Sequence, residues 1–321
     1  MPDSRIPRPD DPASGSAAAP KRRAVLNVNL RGALWMLASA LGFACMAALV
    51  KLLGTTGLHS TQIVFFRAAV GLLAVLPFLA RAGWATAVPR YPFRHVYRAG
   101  TGLAAMVCGF YAFTHLPLAT ATAITFAQPL FMVLLAVLFL GEVVRWRRWT
   151  ATLVGFAGVL VILRPGVESL QFASLAALGN AFFVAASAAQ VKAMPGEERD
   201  LTLLFTFGLF SAIALAVPAA LVWRMPSLEQ AGLLLLMGLL GVSSQAAVIR
   251  AYRVGAEASF VAPFDYLRLL AATLFGVVLF AEIPDIWTGV GAVLIIGSAL
   301  YLARREAMKR RQRRMEPADH P

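Results

Sequence analysis

The run YRAGTGLAAMVCGFYAFTHLPLATATAITFAQPLFMVLLAVLFL, from Tyr97 to Leu140, decides the fold. Apart from Arg98 at its start it carries no charged side chain but His115, and it is otherwise almost continuously apolar. About 20 apolar residues cross a bilayer as a helix, so a stretch roughly twice that long cannot be one crossing. Pro117, set between Leu116 and Leu118, lacks the N–H that a helix interior needs and clashes with the turn before it. The run therefore reads as two helices, Tyr97–Leu116 and Ala119–Leu140, joined by a tight turn.

Extending the reading in both directions gives eight more apolar runs, Leu30–Leu53, Thr61–Leu79, Arg148–Arg164, Phe172–Val191, Leu201–Trp223, Leu228–Ile249, Ala258–Phe280 and Ile286–Leu302. The expected fold is an all-α membrane protein with about ten transmembrane helices. Composition agrees: 59% of the 321 residues are hydrophobic, only 14% are charged, and the mean hydropathy is +0.72. A soluble domain carries about 25% charged residues, and little length is left here for a soluble catalytic unit. Cys45 and Cys108 both fall inside apolar runs, which argues against a disulfide framework. Residues 1–29 are rich in Pro, Ala, Ser and Asp without apolar periodicity and read as a disordered head. The first apolar run begins only after Arg31 and is too long for the core of a secretory signal, so it is expected to stay in the mature protein.

The net charge of +13 raises the question of a nucleic-acid partner, and the placement of the charges answers it. With the N-terminus in the cytoplasm, 24 of the 29 Lys and Arg residues fall on the cytoplasmic side and only Arg164 and Arg224 on the outer side. That asymmetry predicts a multi-pass protein of a bacterial cytoplasmic (inner) membrane with both termini cytoplasmic. The basic tail, residues 304–321, is suited to anionic lipid headgroups, worth about 1 kcal/mol per basic residue near the surface. No nucleic-acid role is expected, and oligomeric state has no signature in the sequence.

An internal repeat organises the rest. Val50-Lys51 returns as Val191-Lys192, Pro77 as Pro218, Ala112-Phe113 as Ala251-Tyr252, Glu142 as Glu282 and Gly158 as Gly297, always about 140 residues on. The chain thus divides into a five-helix unit over 30–166 and a second over 167–303. Five is odd, so the second unit enters the membrane from the opposite side, giving two inverted repeats, an architecture of secondary transporters.

Gln128-Pro129, Gly141-Glu142, Gly155, Gly158 and Leu163-Arg164-Pro165-Gly166, with Ala281-Glu282-Ile283-Pro284-Asp285, Gly291 and Gly297 in the second half, carry a resemblance. The sequence resembles the EamA-type members of the drug/metabolite transporter superfamily over essentially everything between Arg31 and Arg305. The resemblance implies a ten-helix carrier of small organic molecules that works without ATP, cation-independent or proton-linked. Ala281 departs from the pattern, standing where the family usually has glycine before the second glutamate. No phosphate-cradling G-x-x-x-x-G-K-[ST] loop is present, and no cofactor is expected.

Candidate site residues follow from cost, since an ionised side chain at the bilayer centre costs at least about 2.5–3.5 kcal/mol unless it is paired or faces a wet cavity. Arg67, Asp265 and Arg268 qualify. Asp265 and Arg268 stand three apart on one helical face, either as a self-neutralising pair or with Arg268 meeting an anionic group of the cargo. Tyr111, Thr125, Gln128, Asn180, Gln190, Gln245, Tyr252 and Tyr266 are polar candidates nearby, for cargo contact or for helix–helix hydrogen bonding. Pro129 and Pro263 each free a carbonyl at midspan, acceptable only against protein or a cavity. Glu142 and Glu282 end their spans and read as caps or gates acting on basic neighbours, while Lys51 and Lys192 read as residues that snorkel to opposite faces. Glycines 100, 155, 158, 238, 241, 291 and 297 read as sites of close helix packing. His59 and His115 lack partners with metal-ligand spacing, so no metal is expected.

The function that fits is secondary transport of a small polar solute, anionic or zwitterionic, by alternating access. A channel-like or intramembrane sensing protein is the alternative. An intramembrane enzyme finds no support, since neither H-E-x-x-H nor G-x-S-x-G occurs.

Overall fold

A bilayer offers no water to backbone amides, so a chain this apolar must close its hydrogen bonds within helices or within a closed barrel. The computed structural model takes the first course; it describes residues 18–140, 146–164, 171–193, 199–254 and 258–315, and among them there is no strand. The helices are α1 (Ala18–Thr55), α2 (Ser60–Ala82), α3 (Pro92–His115), α4 (Leu118–Thr125), α5 (Gln128–Leu140) and α6 (Trp146–Leu163). They continue with α7 (Phe172–Ala193), α8 (Asp200–Leu221), α9 (Leu228–Arg253), α10 (Ala258–Val261), α11 (Leu267–Phe280) and α12 (Ile286–Met315).

Eight helical stretches among the described residues are long and apolar enough to cross a membrane. Two of the ten expected positions fall short of that measure. α3 opens on the polar run around Arg94, His95 and Arg98, and α6 has only the shorter apolar run Trp149–Leu163. α1 begins at Ala18, well ahead of Leu30, so the backbone of residues 18–29 is helical where the sequence suggested a disordered head.

Two expected spans are each broken. The run Ala119–Leu140 divides into α4 and α5 at Phe126-Ala127, directly before Gln128-Pro129. The run Ala258–Phe280 divides into α10, a 3₁₀ turn over Ala262–Tyr266 and α11, with Pro263 inside the turn. Both breaks sit at prolines, which cannot donate to the carbonyl one turn back. Pro77 and Pro218, by contrast, are accommodated inside α2 and α8.

Packing pairs the helices across the molecule. α1 lies along α9 and α3 along α7; α2 packs on α8 and α6 on α12; α11 reaches α1 and α4, and α5 reaches α7. Small residues set the spacing, as expected where lipid gives helices no hydrophobic reason to associate. A Cβ at Gly158 would lie 2.8 Å from the Gly291 carbonyl oxygen, and one at Gly291 would lie 2.5 Å from the Gly158 oxygen, so α6 and α12 meet backbone to backbone. Gly155, Gly238 and Gly241 are likewise filled by neighbours, whereas Gly100 and Gly297 have nothing within 4 Å and are not packing residues.

One apolar core joins α1, α2, α3 and α9 through Met46, Val50, Ile63, Val64, Phe110 and Met237. Another joins the α4–α5 break to α6 and α12 through Phe126, Leu130, Val159 and Ile295, with Tyr266 packed against it. The two proline breaks thus come together inside the bundle.

Candidate functional site

Arg268 sits in the first turn of α11, just past the 3₁₀ turn. Its guanidinium lies 4.8 Å from the ring centre of Phe126, at the α4–α5 break, and 5.8 Å from that of Phe43 on α1. Each such contact is worth about 0.5–2 kcal/mol and stabilises a cation without neutralising it. Asp265 is the neighbouring anion, yet its carboxylate stands 4.0 Å from the guanidinium, at the limit of an ion pair and too far for a hydrogen bond. The Nε of Arg268 is buried and has no hydrogen-bond partner among the described residues. The expected juxtaposition of Asp265 and Arg268 on one helical face is present, but the pair is loose.

Tyr266 packs its ring 5.0 Å from that of Phe126. Asp265 lies within electrostatic reach of both Tyr252 and Tyr266. Gln128, half-buried, begins α5 two residues after Phe126. The breaks therefore bring together Arg268, whose buried Nε is unused among the described residues, the Asp265 carboxylate, the Tyr266 phenol and the Phe126 ring, with Phe43 of α1 against the guanidinium. Such a group can receive an anionic or amphipathic solute with a flat apolar portion: Arg268 offers a charged planar fork, and the rings offer stacking surface.

Other candidates lie elsewhere. Asn180 on α7 donates to the Ala105 carbonyl of α3 at 2.7 Å, a bond between packed helices. Tyr111 stacks on His115 at 4.0 Å and edges Phe172. Both Tyr111 and His115 line a cavity of about 620 Å³ bounded also by His59, Trp223 and Arg224, where the ends of α1, α3 and α8 meet the start of α2. That cavity is distinct from the Arg268 group. Gln245 is half-buried on α9. The Thr125 hydroxyl turns back to the Thr122 carbonyl at 2.7 Å. Arg67 is buried, 8% exposed, on α2 against Gly241 of α9. Pro129 is half-buried and Pro263 exposed. Glu142 lies outside the described residues, as do the side chains of Gln190's neighbours Val191 and Lys192.

Glu282 follows Ala281, the C-cap of α11, whose backbone is left-handed at φ 53°. One carboxylate oxygen accepts from the Leu118 amide at 2.9 Å and the other pairs with the Lys51 ammonium. Lys51 also donates to the Leu116 carbonyl at 2.6 Å and lies over the Phe280 ring. Lys51 is thus buried in an ion pair rather than extended to the interface, because Glu282 and the free carbonyl before Pro117 satisfy its ammonium within the protein. Close by, Arg164 pairs with Asp285 and lies over Trp287.

Sequence reasoning missed Phe43 and Phe126. Each is one apolar residue in an apolar run, and only the breaks bring them to the arginine. Among the described residues, no group of three or more His, Cys, Asp or Glu could hold a metal ion.

Residues 30–164 match the EamA-like transporter family. The chain is 31% identical to an S-adenosylmethionine uptake transporter of Rickettsia bellii, the match covering 86% of this chain and 95% of that one. It is 33% identical to a riboflavin transporter of Rhizobium johnstonii, over 88% and 93% of the two chains. The chain belongs to the EamA-like transporter family. A pseudopaline exporter of Pseudomonas aeruginosa is another relative, 31% identical over 87% of this chain and 98% of that one. A crystal structure matches with a TM-score of 0.56 and 20% identity, covering 84% of this chain and 98% of that chain, which shows a shared fold. As an EamA-like protein, the chain is a multi-pass membrane transporter of a small-molecule solute and not an enzyme.

Proposed function

We propose that the protein carries a small organic solute with an anionic group across a bacterial cytoplasmic membrane by alternating access, with Arg268 as the anchor of the cargo. The observation that carries this reading is the state of Arg268: a midspan guanidinium cushioned by Phe43 and Phe126, 4.0 Å from the Asp265 carboxylate, with a buried donor unused among the described residues. A guanidinium cannot shed its charge, so it favours an anion that reaches it. Tyr252, Tyr266 and Gln128 stand where they can bond the rest of the solute. Relatives named for S-adenosylmethionine, riboflavin and pseudopaline support a small-molecule metabolite as the solute.

The transport cycle belongs to ten spans in two inverted five-helix repeats, residues 30–166 and 167–303, with both termini cytoplasmic. The helix pairing supports this. Exchanging α1 with α7 and α3 with α9, as the spacing of about 140 residues requires, turns the α1–α9 contact into the α7–α3 contact; α2–α8 and α6–α12 map onto themselves. Lys51 and Glu282, bonded to both sides of the Pro117 corner, act as a gate on the outer side. Residues 304–321 rest on anionic lipid.

Metabolite profiling of cells lacking and overproducing the protein identifies the solute, and uptake into liposomes confirms it. Arg268→Gln then abolishes uptake at matched protein level, and Asp265→Asn does not restore it. Full uptake by the neutral double variant would reduce the pair to scaffolding and remove Arg268 from the site.

A further inference from the structure

Arg67 presents a second and sharper anomaly. It lies well inside α2, 8% exposed, and its Nε has no hydrogen-bond partner among the described residues. No described carboxylate pairs with it. The residues one turn before it, Ile63 and Val64, and Met237, one turn before Gly241, belong to an apolar cluster that supplies no counter-charge. A lone buried cation of this kind costs several kcal/mol.

Space is nevertheless kept for it. A Cβ at Gly241 would come within 2.9 Å of the guanidinium carbon and closer still to Nε, and one at Gly71 would come within 3.1 Å of a terminal nitrogen. Any larger residue at Gly241 would displace the group, and one at Gly71 would crowd it. The repeat spacing that relates Pro77 to Pro218 sets Gly208 opposite Arg67, and Gly208 packs tightly on Leu72 of α2. The arginine is therefore no part of what the two halves share in this chain; it belongs to the first half alone.

We infer that Arg67, in its cradle of Gly71 and Gly241, is an oxyanion-binding site specific for a carboxylate, separate from the Arg268 group. The planar fork matches a carboxylate bidentately, which a spherical halide cannot exploit, and the apolar walls strengthen the attraction. The carboxylate comes either from the cargo or from a free anion bound alongside it; the first of these rests on the transport reading given above.

The test uses the purified full-length protein with acetate as the probe, replacing chloride at constant ionic strength. Acetate should raise the apparent Tm of the wild type by a few degrees. The rise should vanish in Arg67→Met, shrink in Arg67→Lys, which keeps the charge but loses the fork, and persist in Arg268→Gln. Persistence in Arg268→Gln separates this site from the fate of the Arg268 reading. Arg67→Met should also accumulate normally and be at least as stable as wild type without acetate, since an unpaired buried charge has been replaced by an apolar chain of similar length. No rise in the wild type, or an equal rise in Arg67→Met, overturns the site. So does an Arg67→Met protein that fails to accumulate while Arg67→Lys keeps the full acetate response, for the arginine is then a structural charge. In liposomes, acetate that raises the KM for the solute in the wild type but not in Arg67→Lys places the cargo's own carboxylate at Arg67; an unchanged KM beside an intact Tm response places a free anion there.

Discussion

The Lys51 ammonium and the Glu282 carboxylate meet at the corner made by Leu116, Pro117 and Leu118, and between them they bond the last free carbonyl of α3 and the first amide of α4. Three segments far apart in sequence are thereby held by two side chains, both largely buried. Removing one charge strands the other, at a cost of about 3–5 kcal/mol. Glu282→Gln can still accept from Leu118 but cannot neutralise Lys51, so it should lower thermal stability markedly. Adding Lys51→Met should recover much of that loss without recovering transport. A double-mutant cycle on the detergent-purified protein, followed by uptake at matched abundance, reads both effects; strictly additive losses would show that the pair has no coupling.

Ala281 holds the backbone that aims Glu282, and it does so in the left-handed region at φ 53°. A non-glycine residue there costs about 1 kcal/mol. Ala281→Gly should raise the apparent Tm and, if the Lys51–Glu282 pair is the proposed gate, slow transport by making that pair harder to release. A lower Tm would show that the alanine methyl contributes packing that outweighs the strain.

The proline breaks should matter for motion more than for folding. Pro129→Ala and Pro263→Ala restore the missing amide where α4 gives way to α5 and α10 to α11. Each should change the rate of uptake by more than it changes membrane abundance. Equal losses in both quantities would make the breaks structural.

Two glycines near one another on α12 provide an internal control. Gly291 faces the Gly158 backbone, while Gly289 has nothing within 4 Å. Gly291→Ala should therefore destabilise by about 1–3 kcal/mol, and Gly289→Ala should be neutral or stabilise by up to about 1 kcal/mol through helix propensity. Thermal unfolding of the two proteins decides it.

Reporter fusions test orientation. With 24 basic residues on one side and two on the other, fluorescent fusions at either terminus should be active in the cytoplasm. Activity of a periplasm-dependent reporter at either end would reverse the orientation.

The helices were legible because a bilayer makes the apolar run itself the signal, and Pro129 and Pro263 stood out as freeing carbonyls at midspan, whereas the full division of both spans was not legible. What could not be read was which polar residue meets which. Asn180 and Arg268 look equally displaced in an apolar sequence, yet one bonds a neighbouring helix and the other stands with a donor unused. Lys51 looked free to reach the interface because its partner lies more than two hundred residues away. Gly297 matched Gly158 in spacing but opens onto empty space, since the repeat fixes a glycine's place along the helix and not what the other helix presents to it.

The meeting of α6 and α12 at Gly158 and Gly291 has a mechanical consequence. Side chains between helices act as cushions that can change rotamer and let one helix slip past the other. Here each glycine rests against the carbonyl of the other, with Ile162, Leu294 and Ile295 packed around them, so little room is left between the two backbones. Under the alternating-access reading, a relative motion of α6 and α12 at this point is easier as a rotation than as an approach, because moving the helices closer drives backbone into backbone. The contact is thus a natural pivot between α6 and α12, where their backbones touch through paired glycines.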